Sequence, residues 1–413
     1  MKNFLKAKLL IKGSFNKDLF QLIGSGYFTQ FISLLLLPVL VRLYEPADFG
    51  DFSMYVAVSS GIGTLASLRY ELAFFSVKNN ITRNAVLLVS LSLAFIMPLV
   101  YFGILYTVCL FTNDLILFLN QHVISIYIGA VLMSLQMIFL AWHNALGEYK
   151  KISNSRIIQS LTISLLPIFI YPLHLSSQAL IISQISGLFG SILFLYKGIT
   201  LQKTKKNNLI WVVRNFYKNT VVGVPHILSD VIGAIMLNAC ITQVYGSDVL
   251  GFFSIAQRFK NILNTIGASY GIMFNKKITN TTEDSFALKV KQLKNLILPM
   301  LGIYVGLLLF ANVIISLFGQ KWAQAIEMTK ILSLQFVLTS IIAGFGAYFY
   351  LKNRQTTGFL LGLCFTVANV IAVVIPQNLF FGGSNASINL AVNMLVLTLP
   401  VLLIHIAIIF KRT

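Results

Sequence analysis

The sequence predicts an all-α, polytopic membrane protein with about 12 transmembrane helices in two six-helix bundles and both termini on the cytoplasmic side. Its composition is the first observation, since 57% of the 413 residues are hydrophobic and only 10% are charged, whereas soluble domains average about 25% charged residues. The second is a series of long apolar runs, and the third is a regular alternation of charge between them. Strand periodicity is absent, which argues against a β-barrel.

A transmembrane helix needs about 20 predominantly apolar residues. By this measure the N-terminal half contains six predicted spans, at 19–42, 51–75, 84–111, 122–146, 156–173 and 177–200. The C-terminal half contains six more, at 221–244, 249–275, 294–318, 326–350, 357–376 and 385–410. The first run follows a lysine-rich segment and lacks a small-residue cleavage site, so we interpret it as a retained helix and not as a signal peptide.

The loops between the predicted spans alternate in charge. Lysine and arginine are concentrated in the N-terminal tail and in every second loop, whereas the loops between these contain few basic residues. Excess lysine and arginine marks the cytoplasmic side of short loops, so the alternation predicts an even number of spans with both termini inside. The formal net charge of +19 is then mainly a topology signal with some affinity for anionic lipid head groups. No nucleic-acid partner is needed to explain it.

One short motif occurs twice, as "YEPADFGDFS" and, 201 residues later, as "YGSDVLGFFS". The identical positions are Tyr44 and Tyr245, Gly50 and Gly251, Phe52 and Phe253, and Ser53 and Ser254. Each copy leads into the second helix of a six-span half, so the motif indicates a parallel repeat, and Asp48 and Asp248 are placed to cap these helices. The predicted domains are an N-terminal bundle (1–201), a basic cytoplasmic linker (202–220) and a C-terminal bundle (221–413).

Nothing in the sequence indicates a cofactor or a metal site. The three cysteines, Cys109, Cys240 and Cys364, lie in apolar runs, and neither a disulfide framework nor a metal-ligand spacing is present. No carboxylate cluster or catalytic triad occurs, and we expect no enzymatic activity. No G-x-x-x-x-G-K-[ST] motif occurs either, so ATP is not the expected source of energy.

The first 80 residues contain "LLPVLVRLYEPADFGDFSMY" followed by "LRYELAFF". These segments resemble the polysaccharide-type flippases of the multidrug/oligosaccharidyl-lipid/polysaccharide (MOP) exporter superfamily, and the bacterial O-antigen flippases are the branch to which they are most similar. The matching positions are Val41, Arg42, Tyr44, Pro46, Phe49, Gly50 and Leu68 to Ala73. Two further segments resemble parts of the same family, "AWHNALGEYKKISNSRIIQS" at 141–160 and "LFGQKWAQAIEMTKIL" at 317–332.

The resemblance implies a MATE-like fold in the bacterial cytoplasmic (inner) membrane. It also implies that a polyprenyl-pyrophosphate-linked oligosaccharide moves from the inner to the outer leaflet, as the repeat unit of lipopolysaccharide O-antigen or of another surface polysaccharide. A polymerase and chain-length proteins of the same pathway are the expected protein partners. The energy would come from a gradient of H⁺ or Na⁺, or from the gradient of the substrate itself.

Arg258, Lys260 and Arg69 are the predicted substrate-binding residues, because a pyrophosphate head needs cations within the membrane. Arg258 and Lys260 lie about 13 and 16 Å into the eighth helix, where a cation is usually turned away from lipid. They lie about 200° apart around that helix, so they need not face one cavity. The resemblance places Arg69 at the inner vestibule, and interfacial snorkelling is the alternative. Arg69 and Glu71 stand two positions apart, so we expect no mutual neutralisation on a regular helix.

Asp230 and His226 are the predicted ion-coupling residues. Both lie in the seventh helix, four positions apart and therefore on one face, which suits a proton relay. A structural ion pair between Asp230 and Lys260 is the alternative interpretation.

Two other functions remain open at the level of sequence. A cation-coupled multidrug or lipid exporter of the same superfamily would need acidic residues in the bundles, whereas the deep charges here are mainly cationic. A membrane oligosaccharide polymerase would need a sizeable outer loop or an acidic metal site, and neither is evident in the sequence.

Overall fold

The computed structural model of the protein describes residues 24, 26–77, 79–109, 113–199, 204–278, 285–346, 348–351, 354–375 and 385–410. Within these ranges the regular elements are all helical. The helices of the first half are α1 (Gly26–Leu43), α2 (Pro46–Ala66), α3 (Asn80–Cys109), α4 (Asn113–Ala145), α5 (Tyr149–Ile170) and α6 (Ser177–Tyr196). Those of the second half are α7 (Lys206–Tyr245), α8 (Ser247–Ile278), α9 (Ser285–Leu309), α10 (Ala311–Phe318), α11 (Ala323–Ala343), α12 (Tyr348–Leu351), α13 (Gln355–Val374) and α14 (Ala386–Phe410).

The long helices overlap the predicted spans. In the described part of the chain, ten helices are long and apolar enough to cross a membrane, which confirms a multi-pass membrane protein. The two other predicted spans coincide with α2 and α8, whose 21 and 32 residues correspond to lengths of about 31 and 48 Å. A membrane-spanning role for these two helices, and the orientation with both termini inside, stay predictions.

The chain divides into two compact units. Unit 1 comprises the chain up to Leu37 together with Tyr55–Val231, and unit 2 comprises Pro38–Met54 together with the chain from Ile232 onward. The end of α1 and the beginning of α2 therefore belong to unit 2, although the sequence pattern assigned them to the N-terminal bundle. Most of the linker predicted at 202–220 is the start of α7, a continuous helix of 40 residues.

The core of unit 1 forms where α3, α4 and α6 meet a short 3₁₀ helix, Tyr70–Phe75. Trp142 of α4 contributes the largest side chain of this cluster. Earlier in α4, the side-chain amide of Gln136 donates to Gln159 Oε1 of α5 at 2.7 Å and to Ser191 Oγ of α6 at 2.8 Å. Lipid offers no hydrogen-bond partner, so polar groups within a bundle must find partners inside the protein. This polar bridge therefore joins three helices of unit 1.

The core of unit 2 is built on α8, α11 and α14. Gly267 of α8 lies directly against the backbone carbonyl of Ser340 in α11, where a larger residue would not fit. The hydroxyl of Ser340 lies within hydrogen-bond distance, 2.9 Å, of Asn264 Oδ1 on α8. Small residues at such crossings let helix backbones approach closely, which is how helices associate in lipid.

A buried lysine joins three helices of unit 2. Lys289, near the start of α9, is only 2% exposed. Its Nζ donates to the backbone carbonyl of Ile409 at 2.7 Å, near the end of α14, and to the hydroxyl of Tyr348 in α12 at 3.1 Å. The same ammonium lies 4.4 Å from the centroid of the Tyr348 ring. A cation at the carboxyl end of α14 also interacts favourably with the helix dipole.

Replacing Lys289 by methionine removes both hydrogen bonds while keeping a side chain of similar length. We expect Lys289→Met to lower the free energy of unfolding by about 1–3 kcal/mol, because two buried acceptors lose a charged donor. Thermal unfolding of the purified protein in detergent measures this loss. Lys294→Met, at an exposed position of the same helix, is the matched control. An equal loss in the two variants would contradict the structural role of Lys289.

Candidate functional site

Arg69 lies in a break of the helical structure. The regular α-helix ends at Ala66, and Leu68 and Arg69 then adopt left-handed backbone conformations with φ of 50° and 65°. Non-glycine residues rarely adopt this conformation, and each such residue costs about 1–3 kcal/mol unless its surroundings hold it. The predicted span 51–75 is therefore wrong in its last part, since two left-handed residues cannot continue a right-handed helix.

This break brings Arg69 and Glu71 together. Arg69 Nη1 lies 3.4 Å from Glu71 Oε1, and Ser67 Oγ donates to Glu71 Oε2 at 2.6 Å. The Glu71 side chain is only 3% exposed, so its charge would be costly without these partners. The expectation that Arg69 and Glu71 do not neutralise each other is wrong, because it assumed a regular helix.

Helix α7 packs on the same turn. Thr220 Oγ1 donates to the backbone carbonyl of Leu68 at 2.7 Å, and Gly223 lies against the side chain of Arg69. Among the described residues, the buried Nε of Arg69 has no hydrogen-bond partner. The guanidinium thus keeps one N–H donor, Nε, without a partner among the described residues. Its positive charge, however, already neutralises Glu71. Its role in substrate binding stays a prediction.

Arg258 is in a different electrostatic situation. It is half-buried in α8, and its Cζ lies 5.4 Å from the centroid of the Phe49 ring, in a cation–π contact. Within the described ranges this guanidinium has neither an ion pair nor a hydrogen bond. A cation–π contact stabilises a cation by about 0.5–2 kcal/mol without neutralising it. Arg258 is therefore a cation whose charge no described residue compensates, and its role in substrate binding stays a prediction.

Lys260 is also a cation without a counter-ion among the described residues, but it lies on another side of α8. It is also half-buried, and no hydrogen bond or ion pair joins it to any residue that the structure describes. It lies about 200° from Arg258 around α8, so the two cations point to different sides of the helix. On a regular helix these two predicted substrate-binding residues therefore need not face one site, and a role of Lys260 in substrate binding stays a prediction.

The two predicted ion-coupling residues lie on α7. Asp230 is exposed in unit 1. His226 belongs to the same helix by its backbone, and its side chain lies outside the described part of the chain. An ion-coupling role for either residue stays a prediction.

The two copies of the repeated motif contact each other. A Cβ at Gly50 would overlap the backbone carbonyl of Ser247, and a Cβ at Gly251 would overlap the backbone carbonyl of Pro46. Both contacts obey the offset of 201 residues, because Ser247 corresponds to Pro46 as Gly251 corresponds to Gly50. The starts of α2 and α8 therefore cross in a reciprocal contact that only glycine permits on both sides.

Trp322, between α10 and α11, packs against both helices at this crossing within unit 2. It is fully buried, and its ring packs edge-to-face on Phe49 and on Phe252, with centroids 5.2 and 6.0 Å away. Its indole Nε1 donates to the backbone carbonyl of Val41 at the end of α1. We call the assembly the repeat clasp, and its members are Pro46, Phe49, Gly50, Ser247, Gly251, Phe252 and Trp322.

Charged residues tie the end of α1 to the same part of unit 2. Arg42 donates from Nε to the carbonyl of Leu317 at 2.8 Å and from Nη2 to that of Ser316 at 3.1 Å, at the carboxyl end of α10. Lys321 Nζ lies 2.8 Å from Glu45 Oε1. Two of the three motifs that carried the family resemblance, around Arg42 and around Trp322, therefore form one cluster.

The acidic residues of the motif stabilise helix starts. Pro46 is the first residue of α2, and Asp48 Oδ2 accepts a hydrogen bond from the backbone N–H of Glu45 at 3.0 Å. This is the reciprocal half of a capping box, in which an acid in the first turn caps the residue that precedes the helix. Asp248 lies in the first turn of α8, where the helix dipole favours a negative charge. The predicted capping role is confirmed for Asp48, although the residue lies inside the helix.

Known transporters have this fold. The lipid II flippase MurJ, in an inward closed conformation, matches over 94% of this chain and 87% of its own, with a TM-score of 0.69 and 14% identity. An inward-facing multidrug resistance transporter of the MATE family matches over 94% of both chains, with a TM-score of 0.58 and 15% identity. The chain has the fold of a MOP-superfamily transporter. A MOP-superfamily transporter from Pyrococcus furiosus also matches, over 96% of this chain and 97% of its own, with a TM-score of 0.53 and 15% identity.

This match confirms the helical, MATE-like fold. Comparisons with protein-family profiles and with curated proteins find no match. At identities of 14 and 15% the solved structures support the fold of the MOP superfamily and not a substrate, so the O-antigen branch stays a prediction.

Sequence reasoning missed two partners of the predicted residues. It did not find Phe49 against Arg258, because the two residues are 209 positions apart and share no pattern. One signal was present, since Arg258 follows Gly251 by seven residues and thus lies on the same helix face within about 20°. It also missed the pairing of Glu71 with Arg69, because neither left-handed residue in that turn is glycine.

The repeat clasp predicts a specific sensitivity to alanine. Gly50→Ala or Gly251→Ala forces the crossing backbones apart, and we expect each to lower the free energy of unfolding by about 1–3 kcal/mol. Gly103→Ala in α3 is the matched control, because a Cβ there meets open space and alanine favours the helix by up to about 1 kcal/mol. Thermal unfolding of the three purified variants measures the difference. The contact is not tight if all three unfold at the temperature of the unsubstituted protein or above it.

Proposed function

We propose that the protein is a flippase that moves a polyprenyl-pyrophosphate-linked oligosaccharide from the inner to the outer leaflet by alternating access. Arg258 carries the proposal, as a half-buried cation whose charge is compensated by no described residue. A cation that faces lipid is costly and is usually turned to a polar path. A pyrophosphate offers the bidentate oxygen pair that an arginine fork recognises best.

Charge distinguishes this substrate from a cationic drug. Arg258 and Lys260 are both half-buried and unpaired within the described ranges, so α8 presents a positive potential. A positive potential attracts an anionic lipid head and repels a cationic drug. Glu71, the buried carboxylate near Arg69, is already neutralised by that arginine. The described charges therefore favour an anionic head group whose isoprenoid tail stays in the bilayer.

The repeat clasp supplies a mechanical element for alternating access. Arg258 follows Gly251 on the same face of α8 and lies about 10 Å farther along the helix. A pyrophosphate that binds Arg258 competes with the face of Phe49, a member of the clasp. In the proposed cycle, binding of the head group weakens this contact, and the segment Pro38–Met54 then separates from the rest of unit 2.

The remaining features of the proposal follow from the family resemblance. The lipid-linked oligosaccharide is a repeat unit of O-antigen or of another surface polysaccharide, and the membrane is the bacterial cytoplasmic one. A gradient of H⁺ or Na⁺ acting through Asp230 and His226 drives the cycle, unless the gradient of the substrate suffices. The polymerase and chain-length proteins that consume the flipped unit are the proposed partners.

A cation-coupled exporter of the same superfamily is the second candidate. It is favoured by the fold likeness to a MATE multidrug resistance transporter and by the exposed carboxylate of Asp230. An exporter would leave the surface glycan unchanged when it is lost and would change the resistance of the cell to drugs.

Deletion of the gene in its native host separates these two candidates. In a strain with no second flippase, we expect loss of the surface glycan and accumulation of the lipid-linked repeat unit in the inner leaflet. Extraction of surface polysaccharide and of polyprenyl-linked intermediates measures both quantities. An unchanged surface glycan together with increased drug sensitivity would overturn the flippase in favour of the exporter.

Complementation of the deletion strain tests Arg258. One charge-assisted hydrogen bond contributes about 1.5–3 kcal/mol, so we expect Arg258→Ala to lower glycan output by about 10–100-fold. Arg258→Lys keeps the charge and loses the fork, so its output should lie between those of the alanine variant and the unsubstituted protein. Arg214→Ala, an exposed arginine of α7, is the control for general charge loss. Output from Arg258→Ala equal to that of the control, at equal membrane abundance, would remove Arg258 from the substrate path.

A further inference from the structure

The turn between α4 and α5 holds a buried histidine between two acceptors. His143 has no exposed surface, and Glu148 follows it across a turn that contains Gly147 with a φ of 74°. His143 Nδ1 lies 2.5 Å from Glu148 Oε2, and His143 Nε2 lies 2.7 Å from the backbone carbonyl oxygen of Leu195, near the end of α6. Both ring nitrogens therefore face oxygen atoms at hydrogen-bond distance.

The hydrogen-bond partners of His143 determine how many protons His143 and Glu148 carry together. A backbone carbonyl only accepts, so His143 Nε2 must carry a hydrogen to bond Leu195. A neutral imidazole has one N–H, so Nδ1 would then present a lone pair to the Glu148 carboxylate, which also only accepts when ionised. The two contacts coexist only if one more proton lies on the pair, either on Nδ1 or on Glu148.

The neighbouring charges place this proton on the ring. Lys151 Nζ lies 3.0 Å from Glu148 Oε2, and the hydrogen-bond partners of Glu148 are Lys151 and His143. Burial opposes ionisation of Glu148, but these hydrogen bonds outweigh it and hold the pKa of Glu148 below its ordinary value. An ionised Glu148 requires an imidazolium at His143.

Three other charged groups near this turn have partners elsewhere. Arg83 of α3 lies over the Trp142 ring at 5.8 Å and donates to the carbonyl of Val77. Arg69 and Glu71, beside the short 3₁₀ helix that packs on α4, pair with each other. Lys151 also lies against Gly198, where α6 has ended. The imidazolium thus has Glu148 as its counter-ion, and Glu148 has two cations.

We propose that His143 and Glu148 form a proton-binding site whose occupancy holds the end of α6 onto α4. When the proton leaves, one N–H remains for two acceptors, so either the bond to Leu195 or the bond to Glu148 is lost. Leu195 lies one residue before the end of α6, and the basic loop that leads to α7 follows directly. Proton release therefore loosens the attachment of the end of α6 to α4.

The site gives stability over a limited pH range. The lowered pKa of Glu148 makes its contribution present above the ordinary value of 4.5, and this contribution is lost as the pH falls through the lowered value. The free energy of unfolding should therefore decrease in acid, at pH values below 4.5.

The variant Glu148→Gln tests whether the additional proton, and not the hydrogen-bond geometry, causes the dependence of stability on pH. The amide of Glu148→Gln can donate to a neutral Nδ1 while Nε2 still donates to Leu195, so the geometry survives without the additional proton. We expect this variant to keep most of its thermal stability near neutral pH and to lose the part of the acid decrease in stability that comes from the Glu148 carboxylate. Glu327→Gln is the matched control, because it breaks another Glu–Lys pair at i,i+3 spacing with no histidine involved.

Nitrogen-15 spectra of histidine-labelled protein in nanodiscs provide the direct test. At pH 7.5 we expect one imidazolium signal that is absent from His143→Gln and from Glu148→Gln and is kept in Glu327→Gln. Thermal unfolding of the same proteins between pH 3 and pH 7 tests the predicted acid decrease. A neutral His143 signal in the unsubstituted protein, or an acid decrease in Glu148→Gln as large as that of the unsubstituted protein, would overturn the proposal. If His143→Gln does not fold, the Glu148→Gln spectrum alone decides.

Discussion

The close approach of α2 and α8 at Gly50 and Gly251 is the contact on which the described arrangement of unit 2 depends. Each glycine lies on a backbone carbonyl of the other repeat copy, so a side chain at either position would force the helices apart. The crossing in turn sets the place of Phe49 and Phe252 on the two sides of Trp322. It also sets the register at which Arg258, two turns along α8, meets the Phe49 ring. The repeated motif thus serves the packing of α2 against α8. Arg258, the candidate for anion binding, lies farther along α8.

Charge compensation separates the cations of this protein into two groups. Arg69 pairs with Glu71, and Lys289 donates to a carbonyl and a hydroxyl, so both serve the fold. Arg258 makes a cation–π contact and, among the described residues, neither an ion pair nor a hydrogen bond, and an aromatic face leaves the charge of an arginine intact. A low-dielectric surrounding makes an uncompensated charge costly, and a protein keeps one there when a ligand supplies the missing counter-charge. This difference, more than depth in the membrane, identifies Arg258 as the anion-binding candidate.

The features that were predicted correctly from the sequence are those that depend on composition and on the spacing of residues. Apolar runs located the long helices because a membrane span has a required length, and the repeat indicated a duplicated architecture because four positions recur at one offset. Contacts between segments that are distant in the sequence could not be predicted from the sequence. Nothing in a single sequence says that the two motif copies touch, or that His143 bonds a backbone carbonyl 52 residues away. The turn at Leu68 and Arg69 was missed for a related reason, since neighbouring helices, and not glycine, hold these left-handed residues.

The central claim is that the repeat clasp opens and closes during transport, and a distance across it tests this most directly. Spin labels on Glu45→Cys and Lys321→Cys, with Cys109, Cys240 and Cys364 replaced by serine, report that distance by electron–electron double resonance in nanodiscs. The labels remove an exposed ion pair of the kind that contributes less than about 1 kcal/mol. The account predicts a short distance without ligand and a second, longer population when polyprenyl pyrophosphate is added. A single short distance under both conditions, in a labelled protein that still restores the surface glycan, would contradict it.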